Sequence, residues 1–267
     1  MTIHRTAETL LVTMNRDEVR FRAPEKPPQI MLDAPVEHLE LRVASGALRP
    51  KPHALRWMAP LDGQAGGTWF GANEHALQAC LLNRYLPGDD QKWGGAGERP
   101  SRGRIIIDLL ARGAESDALV WLNEQFDPNP YPSFWLLVAG PTNTHSFAWN
   151  GHDTIERATF AEPWCSFSSS SLRTDEVLAY RKNEFDAWLT RCAPFTGLIP
   201  SFHLLQPQDR AEWAPLMDRE YSATRSITQT FTDFSAHSTE MRYWPRERLH
   251  SPGTPEVTLH LSHKQPS

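Results

Sequence analysis

The first apolar run of the chain predicts a strand that ends in unusually polar residues. Residues 9–14 are rich in leucine and β-branched side chains, which is typical of a buried strand. The turn-like RTAE separates this run from the short segment TIH, so the two predict a lopsided hairpin. MNRDE at 14–18 follows directly. We interpret it as polar groups delivered to a pocket rim; a surface turn is the alternative.

Prolines and glycines divide the next hundred residues. From Pro24 to Pro60 there are seven prolines and little periodicity, which predicts an extended surface excursion with few strands. GGTWFGANEHALQACLLN at 66–83 predicts two strands joined by a turn, with glycines that permit unusual backbone geometry. A second irregular stretch, LPGDDQKWGGAGERP, precedes a helix start at Ser101.

Helical periodicity appears in the middle of the chain and strand patterns return after it. The helix from Ser101 carries one apolar stripe: Ile105, Ile106, Leu109 and Leu110. Further helices are predicted at 116–126 and from Thr174. The predicted strands are SFWLLVAG, THSFAWNG, SITQTFTDF, STEMRYW and EVTLHLS.

This order of elements predicts an α+β fold. Strands at both ends with helices grouped between them favour sheets packed face to face and covered by helices. A doubly wound parallel fold would require regular strand–helix alternation, which is missing. No internal repeat interrupts the sequence, so we expect one domain over residues 1–267.

Composition narrows the class of protein. With 40% hydrophobic and 22% charged residues, the chain has the composition of a soluble globular protein. The net charge is −5 and basic residues are scattered, which argues against nucleic acid as a partner. The longest apolar run, FWLLVA, is far below the ~20 residues of a membrane span. The start MTIHRTAETLL lacks the pattern of a signal or transit peptide, so we expect a cytoplasmic protein.

Cysteines and histidines give no sign of metal chemistry. Cys80, Cys165 and Cys192 are odd in number and widely spaced, and we interpret them as reduced structural thiols. The eleven histidines form no HExxH-like pair. We expect neither a metal nor a cofactor.

Five motifs together resemble a known family. They are NRDE at 15–18 with an RxP-like continuation, GGTWFG at 66–71, LLNRY at 81–85, SRG at 101–103 and TRSITQTFTD at 224–233. In this order they resemble the NRDE family, the relatives of transport and Golgi organization protein 2. The resemblance implies the four-layer αββα sandwich of N-terminal nucleophile hydrolases. It also implies links to haem trafficking and to lipid or mitochondrial metabolism, without an agreed reaction.

The resemblance also implies a set of site residues. Cysteine-type amidohydrolases of this fold place an Asp near the N-terminal amine, and Asp17 resembles it. Asn83 is similar to their oxyanion donor, and Arg225 to the arginine that completes the site. The expected catalytic residue at the start of the chain is Thr2. The expected substrate-binding residues are Asn15, Arg16, Trp69 and Ser169.

Each assignment has a structural alternative. Asp17 and Glu18 can form a polar turn with neighbouring arginines. Asn83 can be an ordinary residue at a strand end, and Arg225 can form a structural salt bridge. The glycines at 66 and 67 fit a tight strand entry better than a phosphate loop, because no GxxxxGK[ST] pattern follows. The serines at 168–171 lack a GxSxG context, and relatives often carry Asn there.

The N-terminus departs from the family pattern, which commonly begins Met-Cys. Either Thr2 is the nucleophile once Met1 is removed, or the start of the gene was placed a few residues late and a cysteine precedes Met1 in the natural chain. Because TIH offers only three residues to pair with about six in the second strand, we expect the natural chain to extend beyond Met1 and to carry that cysteine.

Two functions fit this pattern. One is hydrolysis of a C–N amide bond in a small amide or acyl conjugate by an N-terminal nucleophile. The other is non-catalytic binding or carriage of a hydrophobic carboxylate ligand, such as haem or an acyl chain. A purely structural interaction module has only the proline-rich excursions in its favour.

Overall fold

Two antiparallel sheets stack face to face in the computed structural model, which describes residues 1–32, 55–86, 100–191 and 198–264. In spatial order the first sheet contains β10 (Trp164–Ser166), β1 (Thr2–Arg5), β2 (Thr9–Val19), β11 (Ser222–Asp233), β12 (Ser238–Pro245) and β13 (Val257–Ser262). The second contains β3 (Lys26–Leu32), β4 (Arg56–Leu61), β5 (Phe70–Asn73), β6 (Gln78–Asn83), β7 (Phe134–Ala139), β8 (Thr144–Trp149) and β9 (Ile155–Phe160).

Helices cover the outer faces of both sheets. α1 (Gly103–Leu110) and α2 (Glu115–Glu124) pack on the second sheet, and α3 (Thr174–Arg191) lies on the first. Short 3-10 helices lie at Ser201–Leu204, Gln208–Arg210 and Arg246–Arg248. The result is the αββα layering that the sequence predicts. None of the helices in the described ranges combines the length and apolar content needed to cross a bilayer.

Five apolar clusters of the described residues hold these layers together, and three of them show how. The predicted stripe of α1, including Ile105 and Leu109, is fully buried against the second sheet. Each such side chain contributes roughly 1.5–3 kcal/mol on burial. A second core lies between the sheets and includes Ile3, Val12 and Phe70. The third joins α3 to the segment around Phe202.

Several element predictions need correction. β2 runs to Val19, so NRDE lies inside a strand and not at its end. Within the predicted excursion from Pro24 to Pro60, β3 and β4 form at the two ends, and residues 33–54 lie outside the described part of the chain. β3 tolerates its two prolines because, among the strands of the described ranges, it lies at the edge and pairs with β4 alone. β9 and β10 were not predicted.

Two motif glycines explain how α1 meets the second sheet. A Cβ on Gly67 would lie 2.8 Å from the backbone carbon of Gly103. A Cβ on Gly103 would lie 2.9 Å from the backbone nitrogen of Thr68. At this crossing the Thr68 N–H donates to the Gly103 carbonyl oxygen over 3.2 Å. The GGTW and SRG motifs therefore supply glycines where two backbones touch.

Candidate functional site

Strand alternation divides the NRDE motif between two faces of the first sheet. Asn15 and Asp17 face the layer that contains α3, where Asp17 meets Arg181. Arg16 and Glu18 point the other way, towards the second sheet and its loop at Asp62. Because side chains alternate along a strand, four consecutive polar residues supply two separate clusters.

The inward cluster is a buried ion-pair network. Arg16 is 5% exposed and donates to Glu25 over 2.8 Å and to Asp62 over 3.1 Å. Glu18 lies 3.5 Å away, and the guanidinium carbon of Arg16 lies 4.3 Å from the centre of the Trp69 ring. Arg16 and Trp69 are thus packed against each other and against carboxylates of the chain itself. Their predicted role in substrate binding stays a prediction.

The outward cluster begins with a hydroxyl–imidazole–amide chain. Thr2 Oγ1 lies 2.7 Å from His203 Nε2, and His203 Nδ1 lies 2.6 Å from Asn15 Oδ1. Asn15 Nδ2 donates to the carbonyl oxygens of His203 and Pro215, which fixes the orientation of the amide. His203 must therefore carry its proton on Nδ1, and Nε2 accepts the Thr2 hydroxyl proton. A neutral imidazole is thus placed as a base against Thr2.

Burial, followed by the nearby Met1 amine, holds the pKa of His203 well below its ordinary value of 6.5. Below pH 6.5 the unfolded chain takes up a proton at this histidine and the folded protein does not. Stability therefore falls with falling pH, by up to about 1.4 kcal/mol per unit until the folded-state pKa is reached. We expect His203→Gln to show a shallower fall between pH 6.5 and 5 in urea unfolding. His152→Gln, at an exposed position, should parallel the wild type; equal slopes for all three proteins would contradict the expectation.

Asp17 joins this cluster to α3. Its Oδ1 accepts the Thr224 hydroxyl over 2.6 Å, and its Oδ2 lies 3.5 Å from Nη2 of the buried Arg181. The Asp17 side chain is still 26% exposed, so it borders solvent. Burial, then Arg181, lowers the pKa of the Met1 amine to about 5, and Asp17 opposes the shift. The amine, the carboxylate and the guanidinium therefore lie within electrostatic range of one another.

Arg181 continues the network towards the second sheet. Its Nη1 donates to the Ser169 carbonyl oxygen over 3.1 Å, and the Ser169 hydroxyl donates to the Asn83 carbonyl oxygen over 2.6 Å. The exposed Asn83 side chain donates to the Tyr85 hydroxyl and accepts from Arg102. The structure thus brings Asp17, Ser169 and Asn83 into one contact path that spans both sheets.

Arg225 lies apart from this path. It is the extra residue of a β-bulge, because Thr224 pairs with Asp17 and Ser226 pairs with Arg16. Its guanidinium donates to the backbone carbonyl oxygens of Val19 and Arg20. Arg181 is instead part of the path, Arg102 contacts Asn83 at its end, and Arg219 contacts Ser170 beside Ser169.

The described cysteines are poor nucleophiles. Burial raises the pKa of the Cys165 thiol to about 12 and raises that of Cys80 further. Both therefore stay protonated at neutral pH. Cys192 lies outside the described residues. Within the described ranges no group of three or more His, Cys, Asp or Glu side chains could hold a metal ion.

Two solved structures share this fold. An N-acylethanolamine-hydrolyzing acid amidase ortholog from Caenorhabditis elegans is 10% identical, with a TM-score of 0.52, and 85% of this chain and 90% of that chain are covered. A variant of conjugated bile acid hydrolase from Clostridium perfringens is 9% identical, with a TM-score of 0.51 and coverage of 100% and 99%. These identities show the fold alone: a sandwich of the N-terminal nucleophile hydrolase type, which confirms the predicted fold class.

The sequence then places the chain more narrowly. A family model described as Transport and Golgi organisation 2 matches residues 2–197, so the chain belongs to that family. This confirms the resemblance carried by the NRDE, GGTW and SRG motifs. A search of curated proteins found no significant match.

Proposed function

We propose that this protein hydrolyses a C–N amide bond in a small molecule at the cluster around Asp17. The observation that carries the proposal is the contact path from Asp17 through Arg181 and Ser169 to Asn83, together with the Met1 amine in electrostatic range. Amide hydrolysis requires a nucleophile, a base and donors for the oxyanion. Along the path, a carboxylate, the buried guanidinium of Arg181 and the Asn83 residue with its side-chain amide follow one another in contact.

Thr2 is the proposed nucleophile and His203 its base. The Thr2 oxygen attacks the amide carbonyl carbon while its proton passes to His203 Nε2, 2.7 Å away. The C–N bond then breaks, and the leaving amine takes that proton. Water hydrolyses the resulting ester and restores the Thr2 hydroxyl. In this scheme Asn15 holds the imidazole in position through its 2.6 Å hydrogen bond.

A second function, ligand binding without hydrolysis, is favoured by the burial of Thr2. The residue is only 1% exposed, and its hydroxyl is already engaged with His203. A ligand can then occupy the exposed rim at Asp17 and Asn83 without reaching a nucleophile. The ligand class in this case is a hydrophobic carboxylate such as haem or an acyl chain.

A variant pair at Thr2 tests the hydrolase proposal. We expect Thr2→Ser to retain hydrolysis of a panel of N-acyl amides, since it keeps a hydroxyl for His203. Thr2→Val should abolish it, because it keeps the shape and loses the nucleophile. Released amine measures turnover, and urea unfolding checks that both variants are folded. Hydrolysis that persists in Thr2→Val removes Thr2 as the nucleophile, and a wild type inactive on every amide favours the binding function.

A further inference from the structure

Around Asn83 and Ser169 the positive charge of arginine side chains exceeds the negative charge. Arg102 contacts the Asn83 side chain, Arg181 contacts the Ser169 carbonyl oxygen, and Arg219 contacts the neighbouring Ser170 hydroxyl. Of these arginines, Arg181 has Asp17 as a counter-charge at 3.5 Å. No carboxylate of the described residues lies within ion-pair distance of Arg102 or Arg219.

Arg102 is held by neutral acceptors alone within the described ranges. Both of its hydrogen bonds come from Nη1, one to Asn83 Oδ1 and one to the Ser133 carbonyl oxygen at 3.1 Å. Burial lowers the pKa of this guanidinium, and only the Tyr85 hydroxyl opposes the shift. A guanidinium has five N–H donors, so the bonds in the described part of the chain account for a minority of them.

Arg219 contacts the serine next to Ser169 and is also held by neutral acceptors. Its Nε donates to the Glu212 carbonyl oxygen over 2.8 Å and its Nη2 to Ser170 Oγ over 3.0 Å. Burial and then the neighbouring Arg181 lower its pKa, while Asp17, Glu212 and Tyr85 act in the opposite direction from a distance. Two partly buried guanidinium groups that lie near each other lower the stability of the fold unless an anion neutralises part of their charge.

We propose that Arg102 and Arg219 together bind an oxyanion group, a carboxylate or a phosphate, of the molecule that occupies the Asp17–Asn83 site. The inference takes its site from the proposed function and adds the class of ligand. Guanidinium groups bind both oxyanions through paired, charge-assisted hydrogen bonds. The anion would lie between Asn83 and Ser170, the residues whose side chains the two arginines contact.

Three probes with the same chain and different head groups test the proposal: octanoate, octyl phosphate and octanamide. Calorimetric titration of the full chain should show at least tenfold tighter binding of an anion than of neutral octanamide. Arg219→Met should lower the ratio of anion affinity to octanamide affinity at least tenfold, and Arg102→Met should do the same. Arg102→Gln, which also removes the charge and keeps a polar side chain, takes its place if the methionine variant fails to fold. Arg104→Met, an exposed neighbour paired with Asp108, should leave all affinities within twofold.

Each result decides the inference separately from the hydrolase proposal. A preference for octanoate or for octyl phosphate identifies which oxyanion the arginines take, whether or not any amide is cleaved. Equal binding of anions and octanamide by the wild type overturns the inference. The inference is also overturned if the preference for anions survives in Arg219→Met and in whichever charge-removing Arg102 variant folds. Hydrolysis of neutral amides alone would leave the proposed function intact and remove the oxyanion subsite.

Discussion

Replacing Arg16 by methionine will lower the free energy of unfolding by about 3–5 kcal/mol, the cost of removing one partner from a buried ion pair. Its guanidinium lies between the carboxylates of Glu25 and Asp62, and the Glu25 side chain is as buried as Arg16 itself. Without Arg16, Glu25 keeps only the hydroxyls of Ser226 and Tyr243 within the described residues. Those hydroxyls do not compensate a buried negative charge.

A second substitution separates this charge effect from lost packing. The double variant Arg16→Met, Glu25→Gln no longer has a buried carboxylate without a counter-charge. We therefore expect its free energy of unfolding to exceed that of Arg16→Met by at least about 1 kcal/mol. Arg104→Met, whose ion pair with Asp108 is exposed, should change stability by less than about 0.5 kcal/mol. Urea unfolding measures all four proteins. An Arg16→Met protein within 1 kcal/mol of the wild type would show that the network is structurally dispensable.

The local elements of this fold could be predicted because their signals are local. The α1 stripe follows from residues three and four apart, and the start of α3 from Thr174 and the acidic residues after it; the helices form at Gly103–Leu110 and Thr174–Arg191. The end of β2 could not be predicted in this way. Its polar residues Asn15 to Glu18 were expected to follow the end of the strand, but antiparallel pairing with β11 continues to Val19. Tertiary pairing overrides local polarity there.

The site was only partly predictable, for a related physical reason. Asp17, Asn83 and Ser169 stand in motifs or beside strand ends, and the resemblance named them. Arg181 and His203 carry no local signal, since one lies within a long helix and the other in a short 3-10 helix. The β-bulge that turns Arg225 away also has no marker such as glycine in TRSIT. Choosing among 27 basic residues required the contacts themselves.

Replacing Asp17 by asparagine will reduce amide hydrolysis by about 100-fold, the size of effect that follows when a fixed electrostatic group is removed from a reaction site. The carboxylate is the group that offsets Arg181 beside the Met1 amine, and asparagine removes that charge with little change in shape. Because its amide oxygen still accepts the Thr224 hydroxyl, we expect stability to fall by less than about 2 kcal/mol. Asp186→Asn, on the exposed face of α3 beside Lys182, is the matched control and should keep full activity.

The same substitution also distinguishes hydrolysis from binding. Asp17 forms an ion pair with Arg181, so removing its negative charge increases the net positive charge near Arg181 and Arg219. Octanoate should therefore bind Asp17→Asn more tightly than the wild type, while turnover of an amide falls. Kinetics and calorimetry on one preparation measure both quantities. A variant that keeps its turnover within threefold would exclude Asp17 from the chemistry, and one that loses octanoate affinity would place the bound anion away from these arginines.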